Sequence, residues 1–123
     1  MIKQRICIVG DGLSGLMTAV ILSKVSGVEV NLIAKKGIKN ADKRTTAISD
    51  TNYKFINQNI KSLEQKLFWP SQKIDLFYET SKENINFLNL NEANSNLMYV
   101  FENDKIKNVL LKEISKNKIK FIR

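Results

Sequence analysis

The sequence predicts an α/β fold that opens on a βαβ unit and continues into a small antiparallel β layer. A short apolar run, Ile6 to Val9, precedes a segment whose apolar residues recur at three- and four-residue spacing, with Gly10, Gly12 and Gly15 at the junction. A second apolar run follows from Val28 to Ile33. Further along, the clusters KIDLFYET, NINFLNL and LMYVFEN alternate or are rich in β-formers, and polar turns separate them.

Ile6, Cys7, Ile8 and Val9 form a continuous apolar run, the pattern of a parallel strand buried on both faces, so Cys7 is expected inside. From Leu13 onward, Leu16, Met17, Val20 and Ile21 form one helical stripe, and Ala19 and Ser23 are small enough to pack closely on a sheet. A strand, a glycine turn and a helix make a Rossmann-like start. In that arrangement Gly10 permits the tight turn, Gly12 lets backbone approach a phosphate, and Gly15 lets helix and strand pack closely. The turn Gly10, Asp11, Gly12, Leu13, Ser14 and Gly15 is therefore a candidate cradle for a dinucleotide pyrophosphate, held by the first N–H groups of the helix and its dipole. Asp11 is given no charge role. The plain alternative is a strand-to-helix turn that binds nothing.

In such a fold an acidic residue about twenty positions beyond the loop accepts hydrogen bonds from the adenosine ribose. Ala34 stands nineteen residues past Gly15, and Lys35 and Lys36 follow, so no carboxylate is present. The lysines fit either a ribose phosphate or a solvated loop. Residues 34–44, AKKGIKNADKR, read as a polar loop with Gly37 and Asn40 as turn residues. It follows the carboxyl end of a strand, which puts Arg44 within reach of a nucleotide.

Ser49 or Asp50 can cap a helix running toward Gln58, with Tyr53, Ile56 and Phe55 as its buried stripe. A short helical turn carries Leu63 and Leu67, and Phe68, Trp69 and Pro70 end it as a packing plug. The three β-rich clusters that follow are expected to pair as hairpins in one antiparallel layer. Asp104 then caps a helix with Ile106, Val109, Leu110 and Ile114 inward and Lys105, Lys107, Lys112 and Lys116 on a solvated face. Ile119 to Ile122 read as a last strand completing a sheet.

The 123 residues suit one domain or part of one. Cys7 is the sole cysteine and histidine is absent, which removes disulfides, cysteine or histidine metal sites and the usual nucleophile–base pairs. No metal site is expected, and any catalysis must draw its chemistry from a bound cofactor. The net charge of +8 comes almost wholly from lysines spread through every segment without interleaved aromatics, so nucleic-acid binding is not expected. No membrane-spanning run or signal peptide is read, and a cytoplasmic location is expected. The charge is also compatible with peripheral association at the inner face of an anionic membrane.

The glycine turn, DKRTTAIS at 42–49, LFWP at 67–70 and LMYVFENDKIKNVLL at 97–111 occur in an order that resembles the N-terminal part of the ubiquinone-biosynthesis hydroxylases, within the p-hydroxybenzoate hydroxylase-like FAD monooxygenases. The resemblance spans nearly the whole chain. It implies that Gly10, Gly12 and Gly15 hold the FAD pyrophosphate, that Arg44 lies against the flavin nucleotide, and that residues 45–49, Thr45 and Ala47 among them, line that side of the cofactor. It also implies one partial FAD-binding domain over 1–123, with 1–48 as βαβ unit and cofactor loop and 49–123 as helices and the start of substrate-side strands. The family normally has a glutamate at the position of Ala34, so ribose anchoring is assigned to no residue.

Members of that family are longer, and their later motifs complete the contacts to FAD and to the reduced nicotinamide. The resemblance therefore implies an FAD-binding fragment, inactive alone, that needs a downstream chain before NAD(P)H can serve as reductant and a polyprenyl phenol as substrate. The alternative is a non-catalytic nucleotide-binding or interaction module derived from the same fold.

Overall fold

A computed structural model describes residues 4–35 and 41–122. Lys36, Gly37 and Asn40, expected in the polar loop, lie outside the described residues. Strand β1 (Gln4–Val9), helix α1 (Leu13–Leu22) and strand β2 (Val28–Ile33) form the expected βαβ unit, the strands parallel in register from Gln4 against Val28 to Val9 against Ile33. The last strand, β8 (Ile119–Ile122), lies parallel to β2 on its other edge, giving the order β1-β2-β8. Helix α3 (Asn103–Lys116) leads into β8 and packs against α1. Leu16, Val20, Leu32, Ile106 and Leu110 are fully enclosed in this layer, and each buried side chain contributes about 2 kcal/mol of apolar burial.

Strand β1 is not buried on both faces. It lies at the sheet edge, with Ile8 packed on the core while Cys7 is exposed and Val9 is 81% exposed. A continuous apolar run shows that a strand can be covered twice, but coverage depends on what packs there.

The second sheet is antiparallel, with β7 (Met98–Glu102) between β3 (Thr45–Ser49) and β4 (Trp69–Ser71). Helix α2 (Asp50–Asn59) starts where Ser49 Oγ accepts the Asn52 N–H at 3.2 Å, so Ser49 rather than Asp50 is the cap. Its Tyr53 stacks on Tyr99 with centroids 3.7 Å apart and meets Phe68 edge-on at 5.1 Å. Phe68 in turn meets Phe101 edge-on at 5.5 Å. Phe55 points away, 54% exposed. The expected aromatic plug divides: Phe68 is buried, whereas Trp69 is 46% exposed beneath the Lys105 ammonium. The turn carrying Leu67 is a 3-10 turn, Gln65–Leu67, and Leu63 before it is fully buried.

The antiparallel layer also divides in two. Among the described residues, strands β5 (Lys73–Glu79) and β6 (Asn84–Asn91) pair only with each other, with a register slip between Leu76 and Phe77. LMYVFEN instead joins the other sheet because Tyr99 and Phe101 find a wall in α2 and Phe68. Helix α3 starts two residues earlier than expected, with Glu102 as a cap position that makes no side-chain cap bond and Asp104 inside the first turn.

Candidate functional site

The glycine turn closes by backbone chemistry. Gly10 has φ +110°, in the left-handed region that side chains disfavour, and its N–H donates to the Ile33 carbonyl at 2.8 Å, tying the end of β1 to the end of β2. A Cβ on Gly15 would collide with the Gly10 carbonyl oxygen. Both glycines are thus required by the fold itself. Gly12 is different: it is the cap residue of α1 with φ −70°, open to any residue, and a Cβ there would meet nothing within 4 Å.

The first helical bond of α1 runs from Leu16 N–H to the Gly12 carbonyl at 3.0 Å. The N–H groups of Leu13, Ser14 and Gly15 precede that bond and carry the positive end of the helix dipole, with no side-chain cap bond and no acidic residue in the first turn.

Gly12 and Leu13 form one wall of a cleft of about 300 Å³; Asp42, Arg44, Thr45 and Thr46 form a second, and Asn103 and Lys107 of α3 a third. Arg44 Nε and Nη2 donate to the two Asp42 carboxylate oxygens at 2.7 and 2.8 Å. The Arg44 backbone N–H reaches the same carboxylate at 3.2 Å. Asn103 Nδ2 donates to Asp42 at 3.1 Å, and Asn103 Oδ1 accepts from the Thr46 hydroxyl at 2.6 Å. The hydrogen bonds from Arg44, then that from Asn103, hold the Asp42 carboxyl far below the usual carboxylate range, and Asp42 in turn raises Arg44. Lys107 lies 3.8 Å from Asp11. It is therefore a wall of the cleft and not part of a uniformly solvated lysine face.

The cleft gathers Gly12, Leu13, Arg44 and Thr45 from the sequence-predicted residues. Gly10, Gly15 and Ser14 stand in the turn behind it, and Asp11 reaches it through Lys107. Lys35 is exposed beyond β2 and does not line the cleft. Ala47 is exposed on β3 opposite Val100, outside it. Ala34 is buried, with its N–H donating to the Ile122 carbonyl at 2.9 Å. Thr46 falls within the expected 45–49 stretch, whereas sequence reasoning missed Asp42, Asn103 and Lys107. The spacing of Asn103 and Lys107, four apart on one helix face, was the readable signal for the last two.

The arrangement offers helix N–H donors and two cations beside a backbone that carries no side chain at Gly12, which suits a phosphate-bearing ligand. Among the described residues no group of three or more His, Cys, Asp and Glu could hold a metal ion. No helix among them is long and apolar enough to cross a membrane.

No protein-family model matches the sequence, and no curated protein matches it. Solved structures do. The peptidyl tryptophan dihydroxylase QhpG, essential for tryptophylquinone cofactor biogenesis, is 11% identical over 98% of this chain and 25% of its own, with a TM-score of 0.54. A variant of 2-methyl-3-hydroxypyridine-5-carboxylic acid oxygenase is 13% identical over 97% of this chain and 31% of its own, with a TM-score of 0.68. CtdE, solved in complex with FAD and a substrate, is 18% identical over 95% of this chain and 29% of its own, with a TM-score of 0.67. This chain has the fold of the part of these proteins that it covers, and it spans between a quarter and a third of their length.

Proposed function

We propose that this chain is the FAD-binding, N-terminal part of a flavin-dependent aromatic-ring monooxygenase of the ubiquinone-biosynthesis type, inactive by itself. The observation that carries the reading is Gly12. Its backbone angles suit any residue and the space over it is empty, so the chain's own packing gives no reason for glycine there. Close approach of a diphosphate does. The shared fold with CtdE, solved with FAD, favours that dinucleotide.

In this reading the N–H groups of Leu13, Ser14 and Gly15 and the dipole of α1 face the diphosphate, while Arg44 and Lys107 balance its charge. Residues 45–49, with Thr45 and Ala47, run along the flavin side. FAD supplies the redox chemistry when bound, and this chain binds and orients it. A downstream segment or second chain completes the walls, admits NAD(P)H as reductant, and encloses a polyprenyl phenol, the whole working at the inner face of a membrane.

A second reading, a nucleotide-binding module without catalysis, is favoured by Ala34, which is buried where the ribose carboxylate would stand. Titrating the purified chain with FAD, alone and then with any downstream product, and following flavin fluorescence tests the proposal. Saturable binding in either condition supports it. No binding in both refutes it, and binding without turnover after complementation selects the second reading.

A further inference from the structure

Asn103 is a buried side-chain amide, 7% exposed. A buried amide costs stability unless it is hydrogen-bonded, and the partners of this one lie together. Its Oδ1 accepts from Thr46, its Nδ2 donates to Asp42, and its backbone N–H donates to the Arg44 carbonyl at 3.0 Å. All three belong to the wall of the cleft formed by residues 42–46, of which 42–44 are in neither helix nor strand. The Asp42 carboxylate fixes the amide's orientation: it can only accept, so Nδ2 faces it and Oδ1 is left to accept from the Thr46 hydroxyl.

We infer that Asn103 is a positioning residue for this cleft: through Asp42 it holds the Arg44 guanidinium in place for an anionic phosphate oxygen. The inference rests on the phosphate-binding reading of the cleft. Asp42 occupies the Nε and Nη2 edge of Arg44, and Nη1 has no partner among the described residues. The Arg44 side chain is 81% exposed, so this pair is what orders a long side chain that would otherwise sample many rotamers. Asn103 anchors the carboxylate from the interior. A phosphate then meets an arginine whose ordering precedes binding, which raises affinity without a new contact.

The test has two arms. In the unliganded chain, 15N relaxation of the Arg44 Nε–H should report a rigid group that becomes mobile in Asn103→Ala and in Asp42→Asn. The second substitution is at a partly exposed position and covers the case in which the first fails to fold. An Nε–H equally rigid in Asp42→Asn and in any folded Asn103→Ala overturns the positioning, whether or not FAD binds.

In FAD titrations, Asn103→Ala should weaken binding about tenfold, the effect of losing one charged hydrogen-bond network. In an Arg44→Ala background it should add less than about twofold. An equal loss in both backgrounds means Asn103 acts on the fold and not through Arg44, and tighter binding by Asp42→Asn makes the carboxylate a competitor; either overturns the inference. A wild-type chain with no FAD affinity, alone or complemented, refutes the proposed function instead, and the relaxation arm still decides whether Asn103 holds Arg44.

Discussion

The Gly10 carbonyl oxygen occupies the space a Cβ on Gly15 would need, the two standing within 3.0 Å. The obstructing atom is backbone in a turn already tied to Ile33, so it cannot move aside as a flexible side chain would. Gly15→Ala should therefore destabilise the chain by about 2 kcal/mol, the cost of overpacking a close contact. Thermal unfolding followed by circular dichroism should show a midpoint lower by about 8 °C. An unchanged midpoint would mean that helix and turn are not packed this closely.

Gly12→Ala should separate binding from folding. With ordinary φ and open space above it, the substitution should change stability by no more than about 0.5 kcal/mol. FAD affinity should nevertheless fall about tenfold or more, since a methyl enters the diphosphate's place. Gly12→Glu, adding bulk and like charge, should abolish binding. Undiminished affinity in the glutamate variant would refute the cradle.

Asp42 should titrate abnormally. Its folded-state value lies below the ordinary 3.8, so the stability it contributes is present above 3.8 and is lost as pH falls from there through the lower, folded value. Carboxyl 13C shifts should show no Asp42 titration between neutral pH and 3.8. Arg44→Ala should raise the midpoint most and Asn103→Ala less, following the order of the two bonds. A wild-type midpoint at or above 3.8 would show that the Arg44 pair does not persist in solution.

Phe101→Ala should cost about 4 kcal/mol, because the ring is enclosed and braced edge-on by Phe68. Phe55→Ala, on the exposed side of α2, should cost no more than about 0.5 kcal/mol. Urea midpoints compare the two directly. Similar losses at both positions would mean that α2 presents a different face to the sheet.

Local signals made the βαβ start readable: an apolar run, a glycine turn and a helical stripe lie within a single stretch of sequence. The Ser49 cap and α3 were readable for the same reason. Strand β3 was not recognised as a strand, because TTAIS has one strongly apolar residue and owes its state to pairing with β7, some fifty positions away. The partition of LMYVFEN from the hairpin likewise depends on Tyr53 and Phe68 arriving from elsewhere. At the cleft, Gly12 and Arg44 sit in recognisable segments. The four-residue spacing of Asn103 and Lys107 puts them on one helix face, but only the tertiary fold brings Asn103 to Asp42 across 61 positions.

The β5–β6 hairpin gives the chain a colloidal character of its own. Leu76, Phe77, Tyr78, Ile85, Phe87, Leu88 and Leu90 are exposed on a two-stranded sheet whose outer edges pair with no other strand among the described residues. Such edges are templates for strand addition between molecules. The net charge of +8 opposes that approach by mutual repulsion over a range set by ionic strength. Dilute buffer should keep the isolated chain dispersed, and salt should drive it toward filaments or turbidity, starting at this hairpin.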